Sequence, residues 1–229
     1  MVIQNYNIDD RCYFSGNGFG KNHEIGECSL AYSIIPKVEN VVEIGGGAGK
    51  VSHVINTLLT DRTQHIVVEP GVGGTGNHGD EHLKNNKKKF NDQYTIIKKF
   101  ANDLVMSDLD VLKNKPQCLY VDCEGCLNSF MSKPVGKYLL KNVEFIVNEM
   151  DGHNDEIRNT CKQNGFELYM IGYGCGKRCK TEVWKKKIIE TFDEPLDIFK
   201  KYKMSLLLFF LIIAIIIGIT CVIKYNYKK

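Results

Sequence analysis

The sequence has 229 residues, of which 43% are hydrophobic and 25% are charged, and its formal net charge is +3. This length has room for one sizeable domain and an appendage, and the composition excludes a chain that is disordered throughout. Only four of the basic residues are arginines. So few guanidinium groups, together with the small net charge, argue against a nucleic-acid-binding protein, and we expect no nucleic-acid partner.

The N-terminal segment, residues 1–37, begins MVIQNYNIDDRC and has no apolar core of the kind that a secretory signal peptide needs. It contains a glycine cluster at residues 16–20. This pattern is consistent with a lid over a binding site and equally with an ordinary loop that precedes the main domain.

Seven short apolar runs between residues 38 and 187 are typical of buried strands. They span residues 40–44, 65–69, 94–98, 118–122, 143–148, 166–171 and 181–186. The last two lie close together, as expected for a β-hairpin. Five strand–helix units followed by such a hairpin predict an α/β fold, with a Rossmann-like, seven-stranded, mostly parallel sheet and a terminal antiparallel hairpin.

Helix-like segments separate these strands. Their apolar spacing and capping residues place them at residues 51–59, in a lysine-rich stretch that ends near residue 90, and at residues 105–112, 127–140 and 154–165. Pro134 interrupts the fourth of them, since proline removes a backbone donor. Asn154 suits the N-cap of the last helix, and Gly165 suits the position after its end.

The C-terminal part of the chain differs in character from this domain. A charged linker at residues 188–203 precedes MSLLLFFLIIAIIIGITCVI, residues 204–223, which contains no charge, and residues 224–229 form a short basic tail. A helix of that length reaches ~30 Å, the hydrocarbon thickness of a bilayer. A buried core helix would need a large core on all its sides. We therefore expect a transmembrane helix, a single-pass tail anchor that leaves the preceding domain in the cytosol.

The chain has nine cysteines, an odd number, which we expect to be free thiols in a reducing compartment. Two pairs invite another interpretation. Cys123-x-x-Cys126 and the pair Cys175 and Cys179 have spacings that a zinc site or a redox motif can use. Because Cys123 falls where the strand pattern has an apolar residue, we keep zinc only as an alternative and predict no metal.

The most informative motif is VVEIGGGAGK, residues 41–50. It fails the phosphate-binding pattern G-x4-G-K-[ST] at two positions, and it fails the dinucleotide fingerprint G-x-G-x-x-G in either register. It fits acidic-x-G-x-G-x-G, with Glu43, Gly45, Gly47 and Gly49. An acid beside the glycines favours a ligand whose nearest group is cationic, and we interpret Lys50 as the exposed start of a helix.

Glu69 ends the second predicted strand, twenty residues after Gly49. A carboxylate at this place can accept hydrogen bonds from both hydroxyls of a ribose. The motif, this acid and the strand order together resemble class I S-adenosylmethionine-dependent methyltransferases. The resemblance implies S-adenosylmethionine as cofactor. It also implies a set of cofactor-binding residues: Glu43, Gly45, Gly47, Gly49, Glu69 and, after the third strand, Ala101.

Within that class, Leu119-Tyr-Val-Asp-Cys-Glu-Gly125 resembles the L-K-[IV]-D-[VI]-E-G signature of the FkbM family. Glu69-Pro70 resembles the E-P of that family after strand two, and Ile146-Val-Asn-Glu149 resembles its acid at the end of strand five. The resemblance covers residues 38–187. It implies methylation of a hydroxyl on a sugar or another small acceptor, here at a membrane surface.

Three carboxylates are the catalytic candidates because they end neighbouring strands and should converge on one cleft: Asp122, Glu124 and Glu149. Asp122 or Glu124 would be the base that takes the proton of the acceptor hydroxyl, with Glu149 and His153 as second choices. The same carboxylates are also compatible with capping or loop-stabilising roles, and with a divalent metal.

Two further functions stay open from the sequence. A methyltransferase fold that has lost its activity would act as a membrane-tethered binding module. A dinucleotide-dependent oxidoreductase is the other alternative, and the failed fingerprint argues against it.

Overall fold

The computed structural model of the chain describes residues 4–5, 9–71, 79–123, 125–150, 154–174 and 179–187. The chain divides into two compact units, residues 1–187 and residues 188–229. The second unit lies outside the described residues, and so does the apolar run at residues 204–223. Within the described ranges, the structure has no helix that is both long enough and apolar enough to cross a bilayer.

The first unit is built on one eight-stranded sheet with the strand order β1-β7-β8-β6-β5-β2-β3-β4. The strands are β1 (Gln4–Asn5), β2 (Val41–Ile44), β3 (His65–Val68), β4 (Thr95–Ile97), β5 (Cys118–Val121), β6 (Phe145–Glu149), β7 (Phe166–Gly174) and β8 (Cys179–Lys186). All seven predicted strands are present within a few residues of their predicted bounds. The eighth, β1, is too short to leave a pattern in the sequence.

The pairing of the strands is parallel except around β8, which runs antiparallel to both β6 and β7. This confirms the mostly parallel sheet and the terminal hairpin. Three neighbouring strands are in register, with Ile44 of β2 opposite Val121 of β5, and Val121 opposite Asn148 of β6. The carboxyl ends of these strands therefore lie at one edge, where ligands bind in open α/β sheets.

The described part of the chain contains six α-helices: α1 (Ile25–Ile34), α2 (Lys50–Leu58), α3 (Gly79–Lys89), α4 (Leu127–Met131), α5 (Pro134–Asn142) and α6 (Asn154–Gln163). The predicted interruption at Pro134 is confirmed, because Pro134 is the first residue of α5. The predicted cap is wrong for Asn154. Asn154 is itself the first residue of helix α6, and its buried Oδ1 has no hydrogen-bond partner among the described residues.

The predicted helix over residues 105–112 is also wrong. This region contains a short 3-10 helix, Met106–Leu109, preceded by another at Ala101–Asp103. Leu109 and Leu112 are buried as the spacing suggests, but Val105 is 51% exposed. Two anchoring leucines are enough to pin a loop to the sheet, whereas an α-helix needs a continuous apolar stripe.

The core lies on both faces of the sheet, as expected for an α/β domain. Along β2, Val42 and Ile44 face the cluster formed with α4, α5 and α6, whereas Val41 faces the cluster formed with α1 and α2. The central strands β2, β3 and β5 are thus buried along their whole length, which explains why their sequences are mostly apolar. The rigid sheet then holds the loops at its carboxyl edge.

Candidate active site

The glycine turn, residues 45–49, connects β2 to α2 at the carboxyl edge of the sheet. Gly45 and Gly49 have φ angles of +89° and +85°, which disfavour any residue with a side chain. A Cβ on Gly45 would lie 1.6 Å from the carbonyl oxygen of Asp122, and one on Gly49 would lie 2.7 Å from Leu83 Cδ1. These two glycines therefore let the turn pack against its neighbours.

Gly47 serves a different purpose from the other two. Its φ angle is +49°, and a Cβ placed on it would meet no atom of the described residues within 4 Å. The turn is therefore open on this side, so that a ligand can approach the backbone directly. This open space beside the backbone fits the cofactor that the resemblance implies.

Glu69 follows β3 and joins this turn, as predicted for an acid at the end of the second parallel strand. One carboxylate oxygen accepts a hydrogen bond from the Gly47 amide at 2.8 Å, and the other accepts one from the Gly71 amide at 2.8 Å. The residue is 7% exposed. A carboxylate can accept about four hydrogen bonds in all, so acceptor capacity for a ligand diol remains.

Glu43 lies in the interior beneath the turn, 2% exposed. Its two oxygens accept hydrogen bonds from the Ser52 hydroxyl and from the His65 imidazole, each at 2.8 Å. The expectation of a cationic group nearest the glycines treated Glu43 as an unpaired acid, whereas the structure pairs it with Ser52 and His65. Glu43 has a supporting role here, and its contact with the cofactor's amino group stays a prediction.

Lys50 is not the exposed start of a helix, and that interpretation was wrong. It is fully buried, and its ammonium donates to the carbonyl oxygen of Lys21 at 2.7 Å. The rings of Phe14 and Phe19 have their centroids 5.2 and 5.8 Å from the nitrogen. Removal from water lowers the pKa of Lys50. The burial comes from the N-terminal segment, which no local pattern around Lys50 reveals.

The N-terminal glycine cluster packs directly on the glycine turn. Asn86 of α3 is fully buried and joins the two. Its Nδ2 donates to the carbonyl oxygens of Asn17 and Ala48, both at 2.7 Å, and its Oδ1 accepts from the Asn17 amide at 2.8 Å. The segment thus lies against the cofactor turn, and its action as a lid stays a prediction.

Asp122 and Glu149 follow and end the adjacent parallel strands β5 and β6, and the structure brings them together as expected. Partial burial raises the pKa of Asp122 well above its ordinary value, and a hydrogen bond with Glu149 raises it further. Two neighbouring carboxyls that share one proton behave in this way. The two carboxyls therefore interact at the edge of the sheet, and Asp122 holds its proton more firmly there than in water.

The other candidate residues are less informative. Ala101 begins a 3-10 helix after β4 and is 7% exposed within the core. Glu124 and His153 lie outside the described residues. Among those residues that the structure does describe, no group of three His, Cys, Asp or Glu side chains is arranged to hold a metal ion.

Sequence reasoning missed the state of one cysteine pair. Cys123 and Cys126 form a disulfide in the turn that follows Asp122. The expectation that all the cysteines are free thiols is wrong for this pair. The C-x-x-C spacing was the available signal, but only the turn geometry after β5 decides whether the two sulfurs meet.

The fold is similar to that of several solved structures. A precorrin-6y C5,15-methyltransferase from Geobacter metallireducens GS-15 has a TM-score of 0.53 at 14% identity, over 80% of this chain and 98% of its own. A magnesium protoporphyrin IX methyltransferase from Synechocystis PCC 6803 with bound SAM has a TM-score of 0.52 at 12% identity, over 77% and 88%. A protein in the NADB-Rossmann superfamily from Streptococcus agalactiae has a TM-score of 0.52 at 15% identity, over 70% and 67%.

No protein-family model and no curated protein matches the sequence. Identities this low show the fold alone. The strand order and these neighbours show that the chain has a Rossmann-like α/β fold, which it shares with the two methyltransferase structures.

Proposed function

We propose that this protein is an S-adenosylmethionine-dependent methyltransferase that methylates a hydroxyl of a sugar or another small acceptor at a membrane surface. The observation that carries the proposal is the junction between Glu69 and the glycine turn. The Glu69 carboxylate, directly after β3, accepts a hydrogen bond from the amide of Gly47, on which an added Cβ would meet none of the described atoms within 4 Å.

The residues present fit this cofactor. The free acceptor positions of Glu69 suit the two ribose hydroxyls, and the open side of Gly47 leaves room for atoms beside the backbone. The cofactor supplies a methyl group on a positively charged sulfur. The neighbour from Synechocystis, which has bound SAM on the same fold, supports this assignment.

In the proposed reaction, the Asp122–Glu149 pair accepts the proton of the acceptor hydroxyl. The acceptor oxygen gains the methyl group, and its proton passes to the pair, which carries one negative charge and one vacant proton position. A positioned base of this kind typically contributes about 10²- to 10⁴-fold to the rate. The geometry favours the two carboxyls acting as one unit rather than either of them acting alone.

The nature of the acceptor rests on the FkbM resemblance at residues 119–125, which implies oxygen methylation of small hydroxyl compounds. The membrane location rests on the uncharged run at residues 204–223. An anchor there would concentrate the domain on acceptors at the membrane surface, with residues 1–203 in the cytosol.

The test is calorimetry on the full chain in detergent, with S-adenosylmethionine and with NAD as separate titrants. We expect heat with the former and none with the latter. Glu69→Ala should weaken binding by at least about tenfold, or about 1.4 kcal/mol. Glu167→Ala, an exposed acid on β7, is the matched control and should bind normally.

Three outcomes would separate the alternatives. No heat with S-adenosylmethionine contradicts the proposal, and heat with NAD alone favours an oxidoreductase. Binding of S-adenosylmethionine without transfer of its labelled methyl group to any small hydroxyl compound in an extract favours the membrane-tethered binding module.

A further inference from the structure

The turn after β5 contains a cysteine pair whose state differs from that of its neighbours. Cys123 and Cys126 are joined by a disulfide and are partly exposed. The remaining cysteines with described side chains are free thiols and are buried: Cys12, Cys28, Cys118 and Cys161. Since thiol–disulfide exchange requires access to a sulfur, the pair in the turn is the accessible site among the described cysteines.

This turn packs against the glycine turn through its backbone. The amide of Asp122 donates to the carbonyl oxygen of Ile44 at 2.9 Å. A Cβ placed on Gly45 would lie 1.6 Å from the carbonyl oxygen of Asp122 and 3.3 Å from Cys123 Cα. Any movement of Cys123 therefore acts directly on the first glycine of the proposed cofactor site.

The other end of the turn leads into helix α4. The Cys126 amide donates to the carbonyl oxygen of Cys123 at 3.2 Å, and the Phe130 amide donates to the carbonyl oxygen of Cys126 at 3.0 Å. Gly125, with a φ angle of +83°, lets the chain reverse between the two cysteines. The disulfide thus closes a turn that has Asp122 on one side and a packed helix on the other.

We propose that Cys123 and Cys126 form a reversible redox site that controls the order of the glycine turn and of Asp122. In the oxidised form the closed turn holds both in place, and reduction loosens them. A dithiol protein or another dithiol reductant breaks the sulfur–sulfur bond and leaves two cysteine thiols. The reductant gives up two electrons and two protons and becomes a disulfide itself.

The first experiment equilibrates the full chain in detergent with reduced or oxidised dithiothreitol, then traps thiols with a maleimide and maps them by peptide mass spectrometry. We expect Cys123 and Cys126 to be labelled after reduction and protected after oxidation, reversibly. Cys161, a buried thiol, should remain unlabelled in the native protein in both states. A pair that stays reduced in oxidised dithiothreitol, or that labels no faster than Cys161, would overturn the proposal.

The second experiment measures amide hydrogen exchange in the peptide that covers residues 45–49. We expect at least about threefold faster exchange in the reduced protein, because the turn opens locally more often. The double variant Cys123→Ser/Cys126→Ser should exchange at the reduced rate in both buffers, and Cys161→Ser should keep the difference. Equal exchange in the two states of the native chain contradicts the coupling.

The inference deepens the proposed function, but these two readouts need no cofactor. If calorimetry shows no binding of S-adenosylmethionine in either redox state while labelling and exchange respond, the proposed function fails and the redox site stands. If binding occurs with the same affinity in both states and exchange is unchanged, the redox coupling fails and the proposed function stands.

Discussion

The carboxylate of Glu69 lies 2.8 Å from the amide nitrogen of Gly47 and accepts its hydrogen bond. This contact ties the end of β3 to the turn that follows β2, so the acid and the glycine motif, separate in the sequence, form one structure. Its second oxygen holds the Gly71 amide. The predictions below ask which parts of this arrangement bind a ligand and which only hold the fold.

The first prediction compares two glycines of the same turn. Gly45→Ala should lower the free energy of unfolding by about 3 kcal/mol or more, because its methyl group meets the Asp122 carbonyl in a left-handed backbone conformation. Gly47→Ala should lower it by about 1 kcal/mol, since only the conformation is strained. Urea unfolding of the two variants measures the difference.

The same two glycines also distinguish an effect on folding stability from an effect on cofactor binding. Gly47→Ala should fold and yet bind S-adenosylmethionine at least about tenfold more weakly, because its methyl group projects into the open space. Calorimetry on the folded variant checks this. Normal affinity would mean that the open side of Gly47 is not the cofactor side.

A further prediction concerns Glu43, which we expect to stabilise the fold beneath the glycine turn rather than to contact the cofactor. Glu43→Gln should destabilise the fold by about 1–3 kcal/mol, since His65 or Ser52 loses a charged partner in a buried place. We expect the affinity for S-adenosylmethionine to change by less than about twofold. Glu167→Gln on the exposed surface of β7 is the control for stability.

The opposite result for Glu43 would be equally clear. Unchanged stability together with an affinity reduced by about tenfold would show that this carboxylate contacts the cofactor, as the sequence motif first suggested.

The Asp122–Glu149 pair predicts a pH dependence of stability. The ordinary pKa of an aspartate is 3.8, and burial with the hydrogen bond to Glu149 raises that of Asp122 well above it. Between the two values the folded state keeps a proton that the unfolded chain has lost. The unfolded state therefore binds fewer protons, and stability falls as the pH rises through this window.

Asp122→Asn should remove this slope and stabilise the protein above this window by at least about 1 kcal/mol, because folding no longer requires the uptake of a proton at this position. Urea unfolding across a pH series measures both effects. Asp155→Asn is the control, since the Asp155 side chain is 94% exposed. A slope that survives in Asp122→Asn would place the shared proton elsewhere.

Asn86 tests the attachment of the N-terminal segment to the glycine turn. Asn86→Ala should lower the free energy of unfolding by about 2 kcal/mol or more, because two carbonyl oxygens and one amide lose their partner. Asn164→Ala removes a hydrogen bond at the surface and should have little effect. If the two variants are equally stable, the contact between segment and turn contributes nothing.

The last prediction concerns the C-terminal run. The full chain should stay with membranes after an alkaline wash, whereas a chain ending at residue 203 should be released. Ile213→Lys/Ile216→Lys should also be released, since each charge at a helix centre opposes insertion by about 2.5–3.5 kcal/mol. Retention of the chain that ends at residue 203 would contradict an anchor in residues 204–223.

Much of the fold was predictable because it depends on local pattern. The buried strands coincide with short, mostly apolar runs, and Pro134 predicts the helix boundary at which α5 begins. The region 105–112 shows the limit of that reasoning. Its leucines have helical spacing, but two 3-10 turns satisfy the same burial, so periodicity alone does not decide between them.

By itself, the sequence determined the sheet, the glycine turn and the position of Glu69, since all three follow from backbone conformation and strand periodicity. Only the tertiary structure decided the surroundings of the charged groups. The ammonium of Lys50 is buried and donates a hydrogen bond to the carbonyl oxygen of Lys21, 29 residues away, and the Glu43 carboxylate is paired with His65, 22 residues away. Burial and charge pairing depend on contacts between distant segments, and these determine which acids support the site and which face a ligand.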